Sequence, residues 1–367
     1  MIDLKKITIA HFVNGLHNGG VERVILNYFT HMNLENYDVH IVTQGESDKK
    51  CLYEFEKLNF HVHTVTKKSK NIFKNFKDIH SILKSNEFDI VHAHMTVTNV
   101  FPLMIAKICG IKVRINHVHL CYQKLSLVKR IMCFIGILFS THYFACSEDA
   151  AISVFGKKMI NKKKVNILNN AIEIEKFNFD YEMRMNIRNE LGINDKFVIG
   201  NVARFVPQKN HKFLIDVFNE VLKYKKDAYL LLIGTGPLQE EIKSKIRDLE
   251  IEEYVEFLGS KQDVEKYYQA MDIFLLPSLF EGLGIALVEA QVSGLQCIAS
   301  DRIPDAAGQT SHISFLPIDN IRLWVEKILD SNSVRKNYNR EITLNGYNIN
   351  IESRKLDELY NSMIGDR

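Results

Sequence analysis

Residues 276–290, with the sequence LPSLFEGLGIALVEA, decide the fold class of this chain. The segment begins at the end of an apolar run, 272–276, and passes through a glycine-bearing loop into a helical pattern. In a parallel sheet, the loop between a strand and the next helix lies at the carboxyl edge, where ligands bind. The free N–H groups at the start of such a helix suit an anion such as a diphosphate. The sequence therefore predicts an α/β fold with an anion site at this loop.

Glu281 lies in this loop, and Glu289 lies eight residues later inside the predicted helix. A carboxylate repels a phosphate, but it accepts hydrogen bonds from hydroxyl groups such as those of a ribose or a hexose. A phosphate site edged by hydroxyl acceptors is typical of a protein that binds a nucleotide sugar. The alternative is a solvated Glu281 and a helix-surface Glu289, since two glutamates fall at one spacing by chance. The apolar residues around Glu289 argue against that alternative.

This segment resembles the E-x7-E motif of the retaining family-4 glycosyltransferases, which have the GT-B fold. The resemblance implies that Glu281 lies against the donor sugar and that Glu289 holds the ribose hydroxyls. It also assigns to donor binding the four residues that follow Glu281, namely Gly282, Leu283, Gly284 and Ile285.

A basic loop, 203–210, follows the first predicted strand of the second half of the chain. The planar fork of Arg204 and the compact charge of Lys209 can together neutralise a leaving diphosphate. Two surface cations would be the simpler interpretation, but the position after a strand and the two downstream glutamates favour a site. The loop resembles the basic loop of the same family, with Ala203 where glycine is usual. Together with the histidine discussed below, the expected catalytic residues are Glu281, His117, Arg204 and Lys209.

Gly19 and Gly20 separate the first predicted strand from the first predicted helix. Glycines at this position let the backbone approach a ligand and expose the helix N-terminus to it. The pattern is not G-x-G-x-x-G, and no acidic residue ends the second strand, so a dinucleotide is not expected. The family resemblance implies that these two glycines approach the donor phosphates.

Histidines end two predicted strands, with His92 and His94 on one and His117 and His119 on the other. Residues i and i+2 of a strand point to one face, so a metal cluster is one interpretation. Zinc, however, requires three or four convergent ligands, and nothing in the pattern demands it. By the resemblance, His117 matches the histidine that contacts the donor sugar, while the roles of His92, His94 and His119 stay open. The chain contains no D-x-D triplet, so we expect no metal and no cofactor.

The chain has 367 residues, enough for two domains with their own cores. Apolar runs alternate with helical patterns throughout, which predicts two Rossmann-like units in tandem and, by the resemblance, a GT-B layout with a central cleft. The predicted division is an acceptor-binding domain over 1–172, a nucleotide-sugar-binding domain over 173–345, and a helix over 346–367 that crosses back to the first domain. The predicted strands are 7–13, 39–43, 61–65, 90–94, 113–117, 143–146, 165–168, 197–203, 229–233, 255–258, 273–276 and 297–300.

The net charge of +3 conceals an asymmetry between the two halves. Residues 1–175 carry 23 Lys and Arg against 15 Asp and Glu, while residues 176–367 carry 24 against 29. The lysines are scattered and no nucleic-acid motif accompanies them, so an anionic membrane surface fits the basic half better than nucleic acid does. The apolar run 131–139 is too short to span a bilayer. A buried core helix is the favoured interpretation of this run, and contact with an anionic interface is the alternative.

Six cysteines show no C-x-x-C pair and no metal-like spacing, and the amino end does not have the pattern of a signal peptide. These features predict a cytoplasmic protein, with the inner face of the cell membrane as a partner surface.

By this resemblance we expect a retaining, metal-independent transferase that moves a hexose or N-acetylhexosamine from a UDP-sugar. The resemblance is to the bacterial exopolysaccharide and capsule branch, which implies a lipid-diphosphate-linked glycan as acceptor. Two alternatives are a non-hydrolysing UDP-sugar epimerase and a non-catalytic GT-B partner subunit. One departure is the run after Ser300, where the branch usually carries a glutamate and this chain offers only Asp305 as a substitute.

Overall fold

The computed structural model describes residues 6–17, 19–122, 125–332 and 334–365. The chain divides into two compact units, of which unit 1 comprises 1–172 and 348–367 and unit 2 comprises 173–347. The first division falls where it is predicted. The second falls two residues later than predicted, because Tyr347 is buried in unit 2 and its hydroxyl donates a hydrogen bond to the Ala306 carbonyl at 3.3 Å.

Among the described residues of unit 1, seven strands form one parallel sheet in the order β3-β2-β1-β4-β5-β6-β7. Each of these strands is predicted by an apolar run, with ends that differ by at most two residues. Their bounds are β1 Ile7–Phe12, β2 Tyr37–Gln44, β3 His61–Val65, β4 Ile90–Ala93, β5 Val113–Val118, β6 His142–Ala145 and β7 Val165–Ile167.

Helices cover both faces of this sheet. The chain's last helix packs on the same face as the first, because its Leu356 and Tyr360 join the apolar cluster that contains Ile9 and Val24. The final segment of the chain therefore belongs to unit 1. The helices of unit 1 are α1 Gly20–Thr30, α2 Lys49–Lys57, α3 Ile72–Ser85, α4 Val100–Ile108, α5 Leu127–Phe139, α6 Glu148–Phe155, α7 Lys157–Asn161 and, at the end of the chain, α16 Ile349–Ile364.

Unit 2 is built on a six-stranded parallel sheet of described residues, in the order β10-β9-β8-β11-β12-β13. Its strands are β8 Phe197–Val202, β9 Ala228–Ile233, β10 Val255–Gly259, β11 Ile273–Leu276, β12 Gln296–Ser300 and β13 Ile313–Leu316. The edge strand β13 is absent from the sequence prediction, because its four residues are all only half-buried and give no strong apolar signal. The helices are α8 Ile174–Phe177, α9 Tyr181–Leu191, α10 His211–Tyr224, α11 Gln239–Asp248, α12 Val264–Ala270, α13 Ile285–Val292, α14 Ile321–Leu329 and α15 Asn339–Leu344.

The structure corrects the interpretation of the apolar run 131–139 as a core helix. In α5 only Cys133 and Gly136 are buried. The other face exposes four large apolar side chains, which are Leu127 (73% exposed), Ile131 (50%), Phe134 (60%) and Leu138 (60%). Successive members of this set are four, three and four residues apart. Spacings of three and four residues place side chains on one helix face, so α5 presents an apolar stripe to its surroundings. Among the described residues, no helix combines the length and the apolar character that crossing a bilayer requires.

Candidate active site

In unit 2, the pairing of β8 with β11 places the two predicted ligand loops side by side. Ile273 pairs with Ile199, and both strands run in the same direction, so both loops leave the carboxyl edge of the sheet. The backbone N–H of Leu279 donates to the Gln208 carbonyl at 2.8 Å, which joins the loops directly. The buried Asn201 amide holds the end of β11 through a 2.8 Å hydrogen bond to the Leu275 carbonyl.

Lys209 and Glu281 form an ion pair at the junction of these loops. Lys209 Nζ lies 2.5 Å from Glu281 Oε1, and the two side chains are 20% and 7% exposed. Gln208 Nε2 donates to the second carboxylate oxygen at 3.3 Å and to the Phe280 carbonyl at 2.8 Å. Asn210 has a φ of +53°, and this left-handed residue ends the turn that carries Lys209 and begins α10. The structure therefore brings together two of the predicted catalytic residues.

Arg204 lies on the same loop, exposed to solvent. Within the described part of the chain, its side chain makes no hydrogen bond and no ion pair, so its charge is available to a ligand. The turn after β9 packs closely against the backbone of this loop. A Cβ added to Gly234 would overlap the Ala203 carbonyl, and a Cβ added to Gly236 would overlap the Phe205 backbone. Gly234 and Gly236 directly follow an apolar strand, which is a sequence signal for such a close backbone contact. The sequence prediction does not include this contact.

The loop after Glu281 leads into α13 through Gly284, whose φ of +80° is in the left-handed region that glycine adopts without strain. Gly282 and Leu283 are buried, while Gly284 and Ile285 are half-buried at the helix start. The helix has no side-chain cap at its N-terminus, so its first N–H groups remain suited to an anion.

Glu289 is half-buried and is oriented by a tyrosine. The Tyr268 hydroxyl donates to Glu289 Oε2 at 2.8 Å and is itself fully buried. Burial, together with the neighbouring carboxylate, raises the pKa of Tyr268 far above its usual value, so the tyrosine stays a donor. This partner is not predicted from the sequence. Asp305 is exposed at the start of a 3-10 turn beyond β12.

In unit 1, the predicted phosphate-approaching glycines lie beside a carboxylate. Gly20 is the first residue of α1, and a Cβ added to Gly19 would lie 2.6 Å from Glu22 Oε2. Glu22 is buried, and burial raises its pKa, partly offset by N–H groups of the same turn. An acidic side chain therefore already occupies the surroundings of this helix start.

The predicted histidines form two hydrogen-bonded chains in the interior of unit 1. His117 Nδ1 lies 3.0 Å from His92 Nε2, and His92 Nδ1 lies 2.8 Å from the Tyr360 hydroxyl. In the second chain, His94 lies 2.9 Å from His11 through Nε2 and 2.9 Å from His119 through Nδ1. His11 and Tyr360 are members that the sequence prediction missed.

The Tyr360 hydroxyl fixes the protonation of the first chain. Within the described residues, His92 is its only hydrogen-bond partner, so the buried hydroxyl proton is satisfied only if His92 Nδ1 accepts it. His92 Nε2 then carries a proton and donates to His117 Nδ1, which leaves the proton of His117 on Nε2. His117 Nε2 is buried and has no partner among the described residues. The chain therefore presents His117 as an N–H donor.

These histidines are less suited to a metal ion than to hydrogen bonding. Two triads bring their ring nitrogens within 4.8 Å: His11 with His92 and His94, and His94 with His117 and His119. The paired nitrogens lie 2.9–3.0 Å apart, which is hydrogen-bond spacing. Two ligands of a tetrahedral zinc lie roughly 3.3 Å apart.

Two Rossmann-like parallel-sheet units, with a basic loop and a glutamate loop at one carboxyl edge of unit 2, define an α/β protein of the GT-B type. The family model "Glycosyltransferase Family 4" matches residues 18–176, and "Glycosyl transferases group 1" matches residues 183–329. The chain belongs to family 4 of the GT-B glycosyltransferases and is a transferase.

Similar proteins cover nearly the whole chain. The putative glycosyltransferase EpsF of Bacillus subtilis is 29% identical over 337 residues, covering 87% of this chain and 86% of that protein. The UDP-Gal:alpha-D-GlcNAc-diphosphoundecaprenol alpha-1,3-galactosyltransferase of Escherichia coli is 26% identical over 382 residues and covers 98% of both chains. The crystal structure of Anabaena HepE in complex with UDP and glucose has a TM-score of 0.80 at 16% identity, covering 97% of this chain and 100% of HepE.

Proposed function

We propose that this chain transfers a hexose or N-acetylhexosamine from a UDP-sugar to a lipid-diphosphate-linked glycan, with retention of anomeric configuration, in capsule or exopolysaccharide synthesis. The observation that carries the proposal is the Lys209–Glu281 pair beside the exposed Arg204 at one sheet edge. The E. coli relative acts on a diphosphoundecaprenol-linked sugar, and HepE binds UDP, so both support this donor and acceptor.

In this proposal, positive charge stabilises the leaving group. Arg204, Lys209 and the first N–H groups of α13 surround the diphosphate and neutralise the charge that develops when its bond to the sugar breaks. These groups perform the task that a bound metal ion performs elsewhere, so the reaction needs no metal and no cofactor. Glu289, oriented by Tyr268, accepts hydrogen bonds from the ribose hydroxyls.

In unit 2, Glu281 accepts hydrogen bonds from the hydroxyls of the sugar itself. In unit 1, His117 Nε2–H is the donor that the family resemblance assigns to the sugar. The bond between the anomeric carbon and the diphosphate oxygen breaks, and the acceptor hydroxyl attacks the same face of the sugar. Its proton passes to the departing diphosphate oxygen. No protein nucleophile takes part.

The acceptor places the reaction at a membrane surface. The apolar stripe of α5 adjoins Lys129 and Arg130, and all four of its large side chains are at least half exposed. An apolar helix face flanked by cations binds an anionic lipid interface through both burial and charge. We propose that α5 contacts the inner face of the cell membrane, where a lipid-linked acceptor resides.

The experiment is a screen of nucleotide sugars by thermal stabilisation, followed by a transfer assay. UDP and one UDP-sugar should raise the melting temperature, because a ligand stabilises the state that binds it. Transfer of that sugar to a lipid-diphosphate-linked glycan should then give an α-linked product by NMR from an α-linked donor, with equal rates in EDTA. Epimerisation of the UDP-sugar without acceptor, an inverted product or loss of activity in EDTA would each contradict the corresponding part of the proposal.

A further inference from the structure

A second histidine group lies on the other face of the unit 1 sheet, the face covered by α3. Asp38 and His40 are two residues apart on β2, and His61 is the first residue of β3. The strand register pairs His40 with His61, so the three side chains point to one face of two neighbouring strands. The histidines of the two hydrogen-bonded chains lie in or directly after β1, β4 and β5 instead, and none of them belongs to this group.

The three side chains have the spacing of metal ligands. His40 Nε2 lies 3.4 Å from Asp38 Oδ2, and His61 Nε2 lies 3.3 Å from Asp38 Oδ1. Two ligand atoms that are each about 2.0–2.1 Å from a tetrahedral zinc stand about 3.3–3.4 Å apart. Each side chain offers one ligand atom, and these atoms all lie within 4.8 Å of one another. His40 and His61 thus lie against the two oxygens of one carboxylate, which brings three potential zinc ligands together.

His40 also has the surroundings of a metal-binding histidine. It is only 4% exposed, and its Nε2 faces the Asp38 carboxylate. The other nitrogen of His40, Nδ1, lies 2.8 Å from His63 Nε2. The Phe88 ring packs edge-on against the His40 ring, with 4.9 Å between the ring centroids. Histidines that bind metals are commonly held in this way by a partner on the second nitrogen. The buried Nε2 therefore points at the Asp38 carboxylate, and the contact at Nδ1 fixes the orientation of the ring.

We propose that Asp38, His40 and His61 form a zinc site, with His63 orienting His40. The aspartate and the two imidazoles supply three of the four tetrahedral ligands, and water supplies the fourth. The side chains of Asp38 and His61 are 39% and 60% exposed, so the ion reaches the site directly from solvent. The ion joins β2 to β3, which is the edge strand of the sheet. This site holds the strand in place and takes no part in sugar transfer, so it is independent of the proposed function.

The test is a titration of the full-length, metal-stripped protein with Zn²⁺ alone. Titration calorimetry measures the stoichiometry and affinity, and scanning calorimetry measures the melting temperature. The wild type should bind one equivalent and melt at a higher temperature with the metal. His61→Ala and Asp38→Asn should each weaken binding at least tenfold and abolish the thermal shift, and His63→Phe should weaken binding roughly 10- to 100-fold. His80→Ala, which removes an exposed histidine of α3, should bind as the wild type does.

His61 is exposed, so its replacement by alanine should not unfold the chain, and the metal-free melting temperature checks this. Absence of saturable Zn²⁺ binding by the wild type would overturn the proposal. Unchanged one-to-one binding by His61→Ala would also overturn it, since the ion would then be held elsewhere. A wild-type thermal shift that persists in both His61→Ala and Asp38→Asn has the same meaning.

Discussion

Lys209 Nζ lies 2.5 Å from Glu281 Oε1, although the two residues belong to loops that follow different strands, β8 and β11. Both partners are largely shielded from solvent, and Gln208 holds the carboxylate from its other oxygen. The charge of each residue is therefore neutralised by the other. In the proposed reaction, a bound donor separates this pair, with Lys209 facing the diphosphate and Glu281 facing the sugar.

Replacing Lys209 by alanine should lower kcat by roughly a hundredfold or more, because one stabiliser of the leaving diphosphate is lost. Single-turnover sugar transfer with the preferred nucleotide sugar measures the effect. Lys212→Ala is the matched control, since Lys212 lies one residue into α10 and pairs at the surface with Glu241. A Lys209→Ala enzyme with the wild-type rate would remove Lys209 from the reaction.

Replacing Tyr360 by phenylalanine should alter the tautomer of His117 without disrupting the fold. The variant loses the donor that holds His92 Nδ1 as an acceptor, so both tautomers of the chain become populated. We expect kcat/KM to fall by about twofold, because two comparably populated tautomers leave roughly half of the molecules with His117 Nε2 as a donor. Nitrogen-15 NMR of the histidine rings reports the tautomer directly.

Tyr37→Phe is the control for this variant, because Tyr37 packs against Tyr360 at a ring distance of 6.2 Å but its hydroxyl donates to Asp357. It should leave the histidine spectrum and kcat/KM unchanged. If Tyr360→Phe changed stability while the histidine spectrum stayed the same, Tyr360 would be only a structural residue.

The strands of both sheets other than the half-buried edge strand β13, and the Glu281 loop, could be predicted from sequence, because parallel strands buried on both faces form continuous apolar runs. Contacts between distant residues could not. Tyr360 and His92 are 268 residues apart, and nothing in the local pattern around either residue indicates the other. The exposure of the apolar face of α5 could not be predicted either. Periodicity shows that a helix has an apolar face, but it does not show whether that face is buried.

Asp272→Ala should destabilise unit 2 by about 3–5 kcal/mol, because it leaves a buried charge without its partner. The Asp272 carboxylate accepts from Arg184 at 2.6 Å, from Arg188 at 3.3 Å and from the Val198 N–H at 2.7 Å. These bonds tie α9 to β8 and β11. Urea unfolding measures the loss, and Asp263→Ala, which removes an exposed carboxylate, should unfold as the wild type does. Equal midpoints for the two variants would show that the network contributes no stability.

The histidine chains should make the protein unstable in acid. Burial lowers the pKa of His11 and His119 to about 3, and lowers the pKa of His92, His94 and His117 well below the usual value. Because the folded pKa lies below the unfolded one, the unfolded chain binds more protons, and stability present above pH 6.5 is lost as pH falls toward 3. Each such histidine contributes about 1.4 kcal/mol per pH unit in that range.

Urea unfolding between pH 7.5 and roughly 5 measures this slope. His11→Phe should reduce it, because one proton-binding group is removed from the unfolded chain. His80→Gln, at an exposed position, serves as the matched control. If the wild type and His11→Phe lost stability with the same slope, the buried histidines would not be the source of the pH dependence.

The apolar stripe of α5 should bind anionic lipid. The double variant Ile131→Ser and Phe134→Ser removes two side chains that are 50% and 60% exposed, so it should cost little folding stability. It should reduce cosedimentation with vesicles containing phosphatidylglycerol by tenfold or more, because both apolar burial and helix insertion weaken. Leu344→Ser, at a 76% exposed apolar position of unit 2, should bind vesicles as the wild type does. Equal binding by the double variant and the wild type would exclude α5 as the membrane contact. If the wild type bound purely zwitterionic vesicles as well as it binds anionic ones, a role for Lys129 and Arg130 would be excluded.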